Sequence, residues 1–248
     1  MQASIIQIKG LIKYFGKAEQ PSLNGIDLDI FAGEKFGFFG PNGAGKTTMI
    51  SVLCNILQSS TGRIQYFIDE QEFSIKEILP RIGFVPQDFA FYPELTPVQN
   101  LRYFGSLYAV PKKELDEKID SLLITLGLDH VRNKKISTFS GGMKRRINLA
   151  IGLINEPKIL FLDEPTVGVD VQSKLVIFTL LEELNKKGTT IIYTSHHLKE
   201  AEDFCDRIAL LDHGKIIAID NLENLLTQNG VRNLEDLLIK LTGKTLRD

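Results

Sequence analysis

The amino-acid sequence predicts an α/β fold with a largely parallel sheet, and three observations lead to that prediction. Short apolar segments typical of buried strands alternate with segments of helical periodicity along the 248 residues. A glycine-rich loop joins one such strand, Glu34–Phe39, to one such helix, Met49–Ile56. The block from Pro97 to Leu128 has only helical spacing and lies between predicted strands, so it is the candidate for an inserted subdomain.

Strands are predicted where apolar and polar residues alternate, as in Ile26–Phe31, or where a short apolar run is continuous. The run Lys158–Asp163 is of the second kind, which indicates a strand covered on both faces. The other predicted strands are Ile5–Ile8, Arg63–Ile68, Arg81–Pro86, Thr189–Thr194, Arg207–Leu211 and Lys215–Ile219, with the last two forming a hairpin.

Further helices are predicted from Ser140 onward and over Leu175–Leu184. The end of the chain, from Leu222, is predicted to be helix and polar tail. Within it, Asn233–Leu241 has the pattern of an amphipathic helix that packs on its own domain.

Composition indicates a folded globular protein and gives no support for a nucleic-acid binder. Hydrophobic residues make up 43% of the chain, charged residues 24%, and the formal net charge is −2. No apolar run approaches the ~20 residues of a membrane span, and the first residues lack the apolar core of a signal peptide. We therefore expect a soluble, cytoplasmic protein whose two cysteines, Cys54 and Cys205, are free thiols.

The segment from residue 40 to residue 48 has the pattern G-x-x-x-x-G-K-[ST] between a predicted strand and a predicted helix. Its glycines allow the backbone to curl so that N–H groups point inward, and the helix start adds the positive end of its dipole. We expect Lys46 to contact the phosphates of a nucleoside triphosphate and Thr47 to bind Mg²⁺. The predicted loop residues are Gly40, Pro41, Asn42, Gly43, Ala44, Gly45, Lys46, Thr47 and Thr48.

Two acidic residues, Asp163 and Glu164, stand at the end of the continuous apolar strand. An aspartate in that position can hold Mg²⁺ beside a phosphate-loop threonine. Glu164 is then expected to orient and deprotonate the attacking water. Alone, such a pair would indicate only the solvated start of a loop; together with the phosphate loop it predicts hydrolysis of the nucleotide.

Two other polar residues, Gln87 and His196, follow predicted strands. The Gln87 amide could ligate Mg²⁺ or the attacking water, and the His196 imidazole could hydrogen-bond the γ-phosphate. Taken singly, each is more often a structural residue bonded to backbone. The adjacent His197 is interpreted as an exposed residue at a helix start.

Ser140-Gly-Gly142 begins a predicted helix and resembles a second anion-binding helix end, because serine caps it and the glycines leave its N–H groups open. One nucleotide has one γ-phosphate, which the first loop already holds. The simplest interpretation is that this helix end serves a nucleotide held by another copy of the chain. The adjoining Lys144-Arg-Arg146 is interpreted as a solvated face.

Taken in order along the chain, these segments resemble the motifs of an ABC transporter ATP-binding subunit. The resemblance extends from about Ile5 to Ile219. The matching segments are Gly40–Thr48, Gln87, Phe139–Met143, Ile159–Pro165, Gly168–Asp170 and His196.

This resemblance implies a phosphate-loop NTPase core with a mostly parallel sheet, an antiparallel β region at the N-terminal side and an inserted helical subdomain. It assigns residues 1–220 to the ATPase domain and residues 221–248 to a C-terminal helical extension. The helical subdomain is expected at about 95–155, between the Gln87 loop and the Asp163 strand.

The resemblance also implies a head-to-tail dimer with two ATP molecules between the phosphate loop of one subunit and Ser140, Gly141 and Gly142 of the other. Asp170 would communicate across the dimer, and Phe15, with Tyr14 as the alternative, would stack on adenine. The implied catalytic residues are Lys46, Glu164 and His196, and the implied Mg²⁺ ligands are Thr47, Gln87 and Asp163.

Two positions depart from the commonest family pattern. Met143 replaces the usual glutamine, and together with Phe139 it resembles the branch that exports drugs, lipids or polysaccharides. Val171 stands where that branch often has proline, which we interpret as loop variation. The aromatic loop Asp88–Glu94 either lines the groove for a cytoplasmic helix of a membrane subunit or packs against the helical block.

We therefore expect a Mg²⁺-ATPase that dimerises on ATP, identically or with a paralogue, and drives a separately encoded membrane permease. It would lie in the cytoplasm, peripheral to the inner face of the cell membrane, and bind no nucleic acid. The alternatives are an importer subunit, a soluble ABC ATPase acting on ribosomes or DNA, and a nucleotide-binding regulatory module without turnover. The cargo is chosen by the permease, so this sequence does not name it.

Overall fold

A computed structural model describes residues 3–243 of the chain. The strands are β1 Ser4–Lys13, β2 Leu23–Phe31, β3 Lys35–Phe39, β4 Thr61–Ile68, β5 Gln71–Phe73, β6 Ile82–Val85, β7 Ile159–Asp163, β8 Thr190–Thr194, β9 Arg207–Asp212 and β10 Lys215–Asp220. The helices are α1 Lys46–Leu53, α2 Ile75–Ile78, α3 Pro97–Leu107, α4 Lys112–Thr125, α5 Gly141–Leu153, α6 Val171–Lys186, α7 Leu198–Phe204, α8 Leu222–Asn229 and α9 Leu234–Thr242.

The chain forms two compact units, which do not follow the sequence in one block each. The first contains the described residues up to Leu79 and from Thr190 onward, and the second spans Pro80–Thr189. The sequence predicted a different division, with an ATPase domain at 1–220, a helical subdomain at about 95–155 and a C-terminal extension at 221–248. These limits stay predictions.

The first unit contains an antiparallel sheet with the strand order β2-β1-β4-β5. Strand β2 shows the predicted alternation: Leu23, Ile26, Leu28 and Ile30 are buried, and the aspartates between them are more exposed. This sheet supplies the antiparallel β region that was expected at the N-terminal side.

A second set of strands in the same unit has the order β10-β9-β3-β8. Strands β9, β3 and β8 are parallel, and β10 pairs with β9 in the predicted antiparallel hairpin. The central strand β3 is apolar, with Phe36, Phe38 and Phe39 fully buried. Because β3 and β8 run in the same direction, the segments that follow them lie at one edge of the sheet.

The C-terminal helices pack on this unit, as predicted for the amphipathic segment. Helix α9 buries Leu234, Leu237 and Leu238 and contacts α7 and α8. The backbone N–H of Leu234 also donates to the Glu202 carboxylate of α7, at 2.8 Å.

The second unit consists of the parallel pair β6 and β7 with helices α3 to α6. Strand β7 is buried along its whole length, as its continuous apolar sequence predicted. Helix α5 lies directly on β6: a Cβ added at Gly83 would come within 2.1 Å of the Gly152 carbonyl oxygen. Glycine at both positions therefore allows the backbones of the strand and the helix to approach closely.

These observations confirm the predicted α/β fold, with several local differences, one of which is that helix α1 spans Lys46–Leu53 where Met49–Ile56 was predicted. The polar stretch after Ile68 contains a short strand, β5, and the single-turn helix α2, neither of which was predicted. Helix α6 begins at Val171, four residues before the predicted start, because Asp170 caps it. Of the helices within residues 3–243, none is long and apolar enough to cross a bilayer.

Tyr66 of β4 connects the antiparallel sheet to helix α1. Its hydroxyl donates to the carbonyl oxygen of Leu53, in the last turn of α1, at 2.5 Å. The ring is 3% exposed, and burial raises the pKa of the phenol, so the proton stays on the oxygen.

Replacing Tyr66 with Phe leaves the buried Leu53 carbonyl without its donor, so we expect the free energy of unfolding to fall by about 1–2 kcal/mol. Urea unfolding monitored by circular dichroism measures this. The matched control is Tyr103→Phe, which removes a hydroxyl from a residue that is 43% exposed. That change should cost less than about 0.5 kcal/mol. Equal losses for the two variants would contradict the role given to the Tyr66 hydroxyl.

Candidate functional site

The predicted phosphate loop connects β3 to α1, and its glycines have the backbone geometry that the sequence indicated. Gly40 has φ 151° and Gly45 has φ 109°. A Cβ at Gly40 would lie 2.1 Å from the Leu211 carbonyl oxygen, so no larger residue fits there. Gly45 is the N-cap of α1 and has no side chain with which to cap the helix. The loop therefore directs backbone N–H groups of the helix start toward the outside, as anion binding requires.

Lys46 is the first residue of α1 and is only 6% exposed. Its ammonium group donates to the carbonyl oxygens of Gly40 at 2.8 Å and Pro41 at 3.1 Å. The charge is therefore held against the loop that it was predicted to serve. This places a cation beside the uncapped helix start.

Two neighbouring segments, which the sequence did not connect with the loop, fix its position. The Gly214 N–H, in the β9–β10 turn, donates to the Ala44 carbonyl at 3.0 Å. The hydroxyl groups of Ser22 and Thr48 share a hydrogen bond of 3.0 Å. These contacts are long-range in sequence, and no local pattern indicated them.

His196 follows β8, whose parallel partner β3 leads into the phosphate loop, so both lie at the same edge of the sheet. The adjacent Ser195 is fully buried, and its hydroxyl accepts from the His197 N–H at 2.9 Å. Glu200 accepts from the Tyr193 hydroxyl at 2.5 Å and from Ser195 at 3.3 Å. His196 is thus an exposed imidazole on a firmly held segment, and His197 is an exposed N-cap of α7, as expected.

Phe15 and Tyr14 follow β1 and are both exposed, by 47% and 41%. The Lys13 ammonium lies 5.3 Å from the centre of the Phe15 ring. The Tyr14 backbone N–H donates to the Ser60 hydroxyl at 2.9 Å. Either ring is accessible for stacking on a planar ligand.

In the second unit, Asp163 ends β7 and Glu164 follows it, with exposures of 2% and 7%. Glu164 has φ 49°, a left-handed conformation that costs a non-glycine residue roughly 1–2 kcal/mol. Such strain is retained where the surrounding structure imposes it, often at functional sites. The residue with this strained backbone is the one that the sequence identified as the base.

Gln87 lies beyond the end of β6, the parallel neighbour of β7, so it is at the same edge of this pair as Asp163. Its side chain is exposed. The backbone around it is bonded to α5: Arg145 donates to the Gln87 carbonyl, and Asn148 donates to the Pro86 carbonyl.

The interpretation of Lys144-Arg-Arg146 as a solvated face is wrong for Arg145, which is 5% exposed. The available signal was its spacing, since Arg145 and Asn148 are three residues apart among the apolar residues of α5. That spacing places them on one face of the helix.

Ser140 caps α5 as predicted, with its hydroxyl accepting from the Met143 N–H at 3.3 Å. Gly142 packs against the start of α6, where a Cβ would lie 2.5 Å from the Ser173 hydroxyl. Asp170 caps α6 by accepting from the Ser173 N–H at 2.9 Å, and the Ser173 hydroxyl donates to it at 3.0 Å. These hydrogen bonds lower the pKa of the Asp170 carboxyl. The structure thus brings together two segments that the sequence singled out separately.

The aromatic loop after Gln87 packs on itself and on α3 while keeping exposed surface. The rings of Phe89 and Phe91 are stacked at 5.1 Å, and Tyr92 contacts Tyr103 and Phe104 of α3. Phe89 and Tyr92 remain 43% and 46% exposed. The packing alternative holds for this loop, and its exposed rings are available to a partner.

No three His, Cys, Asp or Glu side chains of residues 3–243 form a cluster that could hold a metal ion. The predicted Mg²⁺ ligands are a hydroxyl, an amide and one carboxylate, on Thr47, Gln87 and Asp163. Oxygen donors of this kind suit Mg²⁺, which takes few protein ligands and binds nucleotide phosphates as well. The donor set therefore fits the metal.

Comparison with known proteins places these features in a family. The ABC transporter family model matches residues 23–167. The linearmycin resistance ATP-binding protein LnrL of Bacillus subtilis is 39% identical over 241 residues, which are 96% of this chain and 75% of that protein. The daunorubicin resistance ATP-binding protein DrrA3 of Streptomyces coeruleorubidus is 35% identical over 98% of this chain and 76% of its own.

Solved structures give the same result. The ATP-binding subunit of an ABC transporter superimposes with a TM-score of 0.86 and 25% identity, over 96% of this chain and 100% of the other. An ATP-binding cassette in a dimeric, post-hydrolysis state with ADP and phosphate superimposes with a TM-score of 0.78 and 27% identity, over 88% of this chain and 98% of the other. The chain belongs to the ABC transporter family and is one of its ATP-binding, ATP-hydrolysing subunits.

Proposed function

We propose that this subunit binds Mg²⁺-ATP between two copies of the ATPase, hydrolyses it, and thereby drives a membrane exporter. The observation that carries the proposal is the pair of glycine-lined helix starts at Gly45 and Ser140. Each directs backbone N–H groups outward, so each suits a phosphate group. The family supplies the identity of the nucleotide.

ATP binding rests on the phosphate loop and the exposed aromatics. The N–H groups of the loop and the Lys46 ammonium neutralise phosphate oxygens that carry several negative charges. Either Phe15 or Tyr14 stacks on adenine. Thr47, Gln87 and Asp163 would hold Mg²⁺, which would supply positive charge against the negative charge that develops in phosphoryl transfer.

Hydrolysis rests on Glu164, which orients the attacking water and accepts its proton. His196 hydrogen-bonds the γ-phosphate from its held position after β8. The near-complete burial of Glu164 supports this role, because few water molecules other than the attacking one can then reach the carboxylate.

The second helix start, Ser140-Gly-Gly142, contacts the γ-phosphate of the nucleotide held by a partner ATPase, and Asp170 lies at the same interface. The packing of Gly142 against the Asp170 cap supports this, since one surface then presents both segments. The partner is an identical chain or a paralogue. Loss of the γ-phosphate removes the group that both chains hold, so hydrolysis opens the dimer.

The named relatives favour export. Two are drug-resistance ATP-binding proteins, and another, from Rhizobium meliloti, is a Nod factor export ATP-binding protein, 38% identical over 86% of this chain. The cargo passes through an integral membrane permease that the ATPase binds through surfaces such as the exposed aromatic loop. That attachment places the subunit on the cytoplasmic face of the cell membrane.

Replacing Glu164 with Gln keeps the shape of the side chain and removes the base. We expect hydrolysis to slow by about 10²–10⁴-fold while ATP binding is retained, and an ATP-bound dimer to accumulate. Steady-state phosphate release and sedimentation velocity with Mg²⁺-ATP measure the two effects. The control is Glu156→Gln, an exposed glutamate on the same unit, which should hydrolyse ATP at the parent rate. Parent-rate hydrolysis by the Glu164 variant would contradict its assignment as the base.

The adenine contact is tested by comparing two neighbouring residues of similar exposure. If Phe15 is the stacking residue, Phe15→Ala weakens ATP binding by about tenfold, as expected for one base–aromatic contact, and Tyr14→Ala does not. Fluorescence titration with an ATP analogue labelled on the ribose measures both. Unchanged affinity in both variants would exclude stacking by either ring.

A further inference from the structure

We propose that Arg145 of α5, assisted by Asn148, is a positioning residue for ATP hydrolysis that acts by fixing the loop carrying Gln87. Neither residue was identified as functional from the sequence. The inference rests on the proposed role of Gln87 in binding Mg²⁺ or the attacking water.

Arg145 holds the loop from one side through three contacts. Its guanidinium donates to the Gln87 carbonyl at 2.8 Å and to the Pro86 carbonyl at 3.3 Å. The same group lies 4.9 Å from the centre of the Phe89 ring, a cation–π contact. The backbone on both sides of the Gln87 side chain is thus attached to one rigid planar group.

Asn148, one turn further along α5, completes the attachment. Its amide nitrogen donates to the Pro86 carbonyl at 2.9 Å, and its amide oxygen accepts from the Ala90 N–H at 3.0 Å. Together the two side chains bind the start and the end of the segment 86–90. The Gln87 side chain therefore extends from a backbone whose polar groups are held by α5.

A purely structural role explains Arg145 less well. A cation that is 95% buried carries a large desolvation cost, and an apolar side chain of similar size is usually tolerated better. Burial lowers the pKa of its guanidinium, while the carboxylates of Asp88 and Glu164 raise it. Its Nε has no hydrogen-bond partner among the described residues. The guanidinium nitrogen that is satisfied, Nη1, donates to two carbonyl oxygens of the Gln87 loop.

Two carboxylates, those of Asp88 and Glu164, relate Arg145 to the proposed hydrolysis of ATP. Asp88 follows Gln87, Glu164 is the proposed base, and the negative charges of both raise the pKa of the Arg145 guanidinium. A planar guanidinium can bind the loop carbonyls and face carboxylates at the same time, which an ammonium on a flexible stem does less well. The role therefore depends on arginine and not merely on positive charge.

A double-mutant cycle with Gln87 tests the inference, because a residue that acts through Gln87 has no effect when Gln87 is absent. We expect Arg145→Met to lower kcat for ATP by about tenfold and to change KM by less than about twofold. In the Gln87→Ala background the same substitution should lower kcat by less than about twofold. Phosphate release by the full chain, with thermal unfolding recorded for every variant, supplies these values.

Arg146→Met is the matched control, because Arg146 also donates to backbone carbonyls, those of Leu126 and Gly142, but does not contact the Gln87 loop. Its effect on kcat, whatever the size, should be the same with and without Gln87. If Arg145→Met folds poorly, Arg145→Lys takes its place, with an expected loss of about threefold and the same dependence on Gln87.

Equal effects of the Arg145 substitution in both backgrounds would overturn the inference, and so would parent-like kinetics of Arg145→Met while Gln87→Ala is slow. Parent-like kinetics of Gln87→Ala would overturn the proposed role of Gln87 as well. Amide hydrogen exchange gives an independent result: Asn148→Ala should accelerate exchange at Ala90, whose N–H it releases. Unchanged exchange there would contradict the attachment of the loop to α5.

Discussion

The structure depends on one electrostatic requirement, namely that backbone N–H groups at a helix start remain available to an anion. Helix α1 meets it because Gly45 adopts φ 109° and brings no side chain that would occupy the helix start. The phosphate loop must also be held in position by the segments packed against it. The carbonyl of Ala44 accepts from Gly214, and Gly40 leaves room for the Leu211 carbonyl. The β9–β10 hairpin and the buried strand β3 therefore both fix the position of the phosphate loop.

The sequence predicted those features whose causes are local. The phosphate loop is a local pattern of glycines, lysine and threonine, and the strand before it is a run of buried phenylalanines, so both were identified at the correct positions. Asp163 was placed at the end of a buried strand, where it lies. The family and its ATPase activity followed from the order of these motifs along the chain.

What was missed depends on contacts between distant residues. Arg145 was interpreted as solvated because it lies in a run of three basic residues, and its carbonyl partners are 58 and 59 residues away in sequence. The left-handed conformation of Glu164 likewise has no sequence signal, because it is imposed by the surrounding chain and not by the residue type. The structure adds the means by which the second unit holds the side chains proposed to act in hydrolysis: a loop attached to α5, a strained turn after β7, and a capped start of α6 packed on Gly142.

We propose that the two helix starts of one chain serve different nucleotides. The start of α1 binds the nucleotide of its own chain, and the start of α5 contacts the nucleotide held by the partner copy. Complementation between two inactive chains tests it most directly. Lys46→Ala disables the phosphate loop, and Gly141→Glu places a carboxylate at the α5 start, where an added Cβ meets its nearest atom at 3.7 Å and the fold is preserved. Each variant alone should fail to hydrolyse ATP. Mixed in equal amounts, they should regain about a quarter of the parent rate, because half of the dimers then contain one intact site of two. A mixture as inactive as its components, while the parent chain is active, would contradict the account.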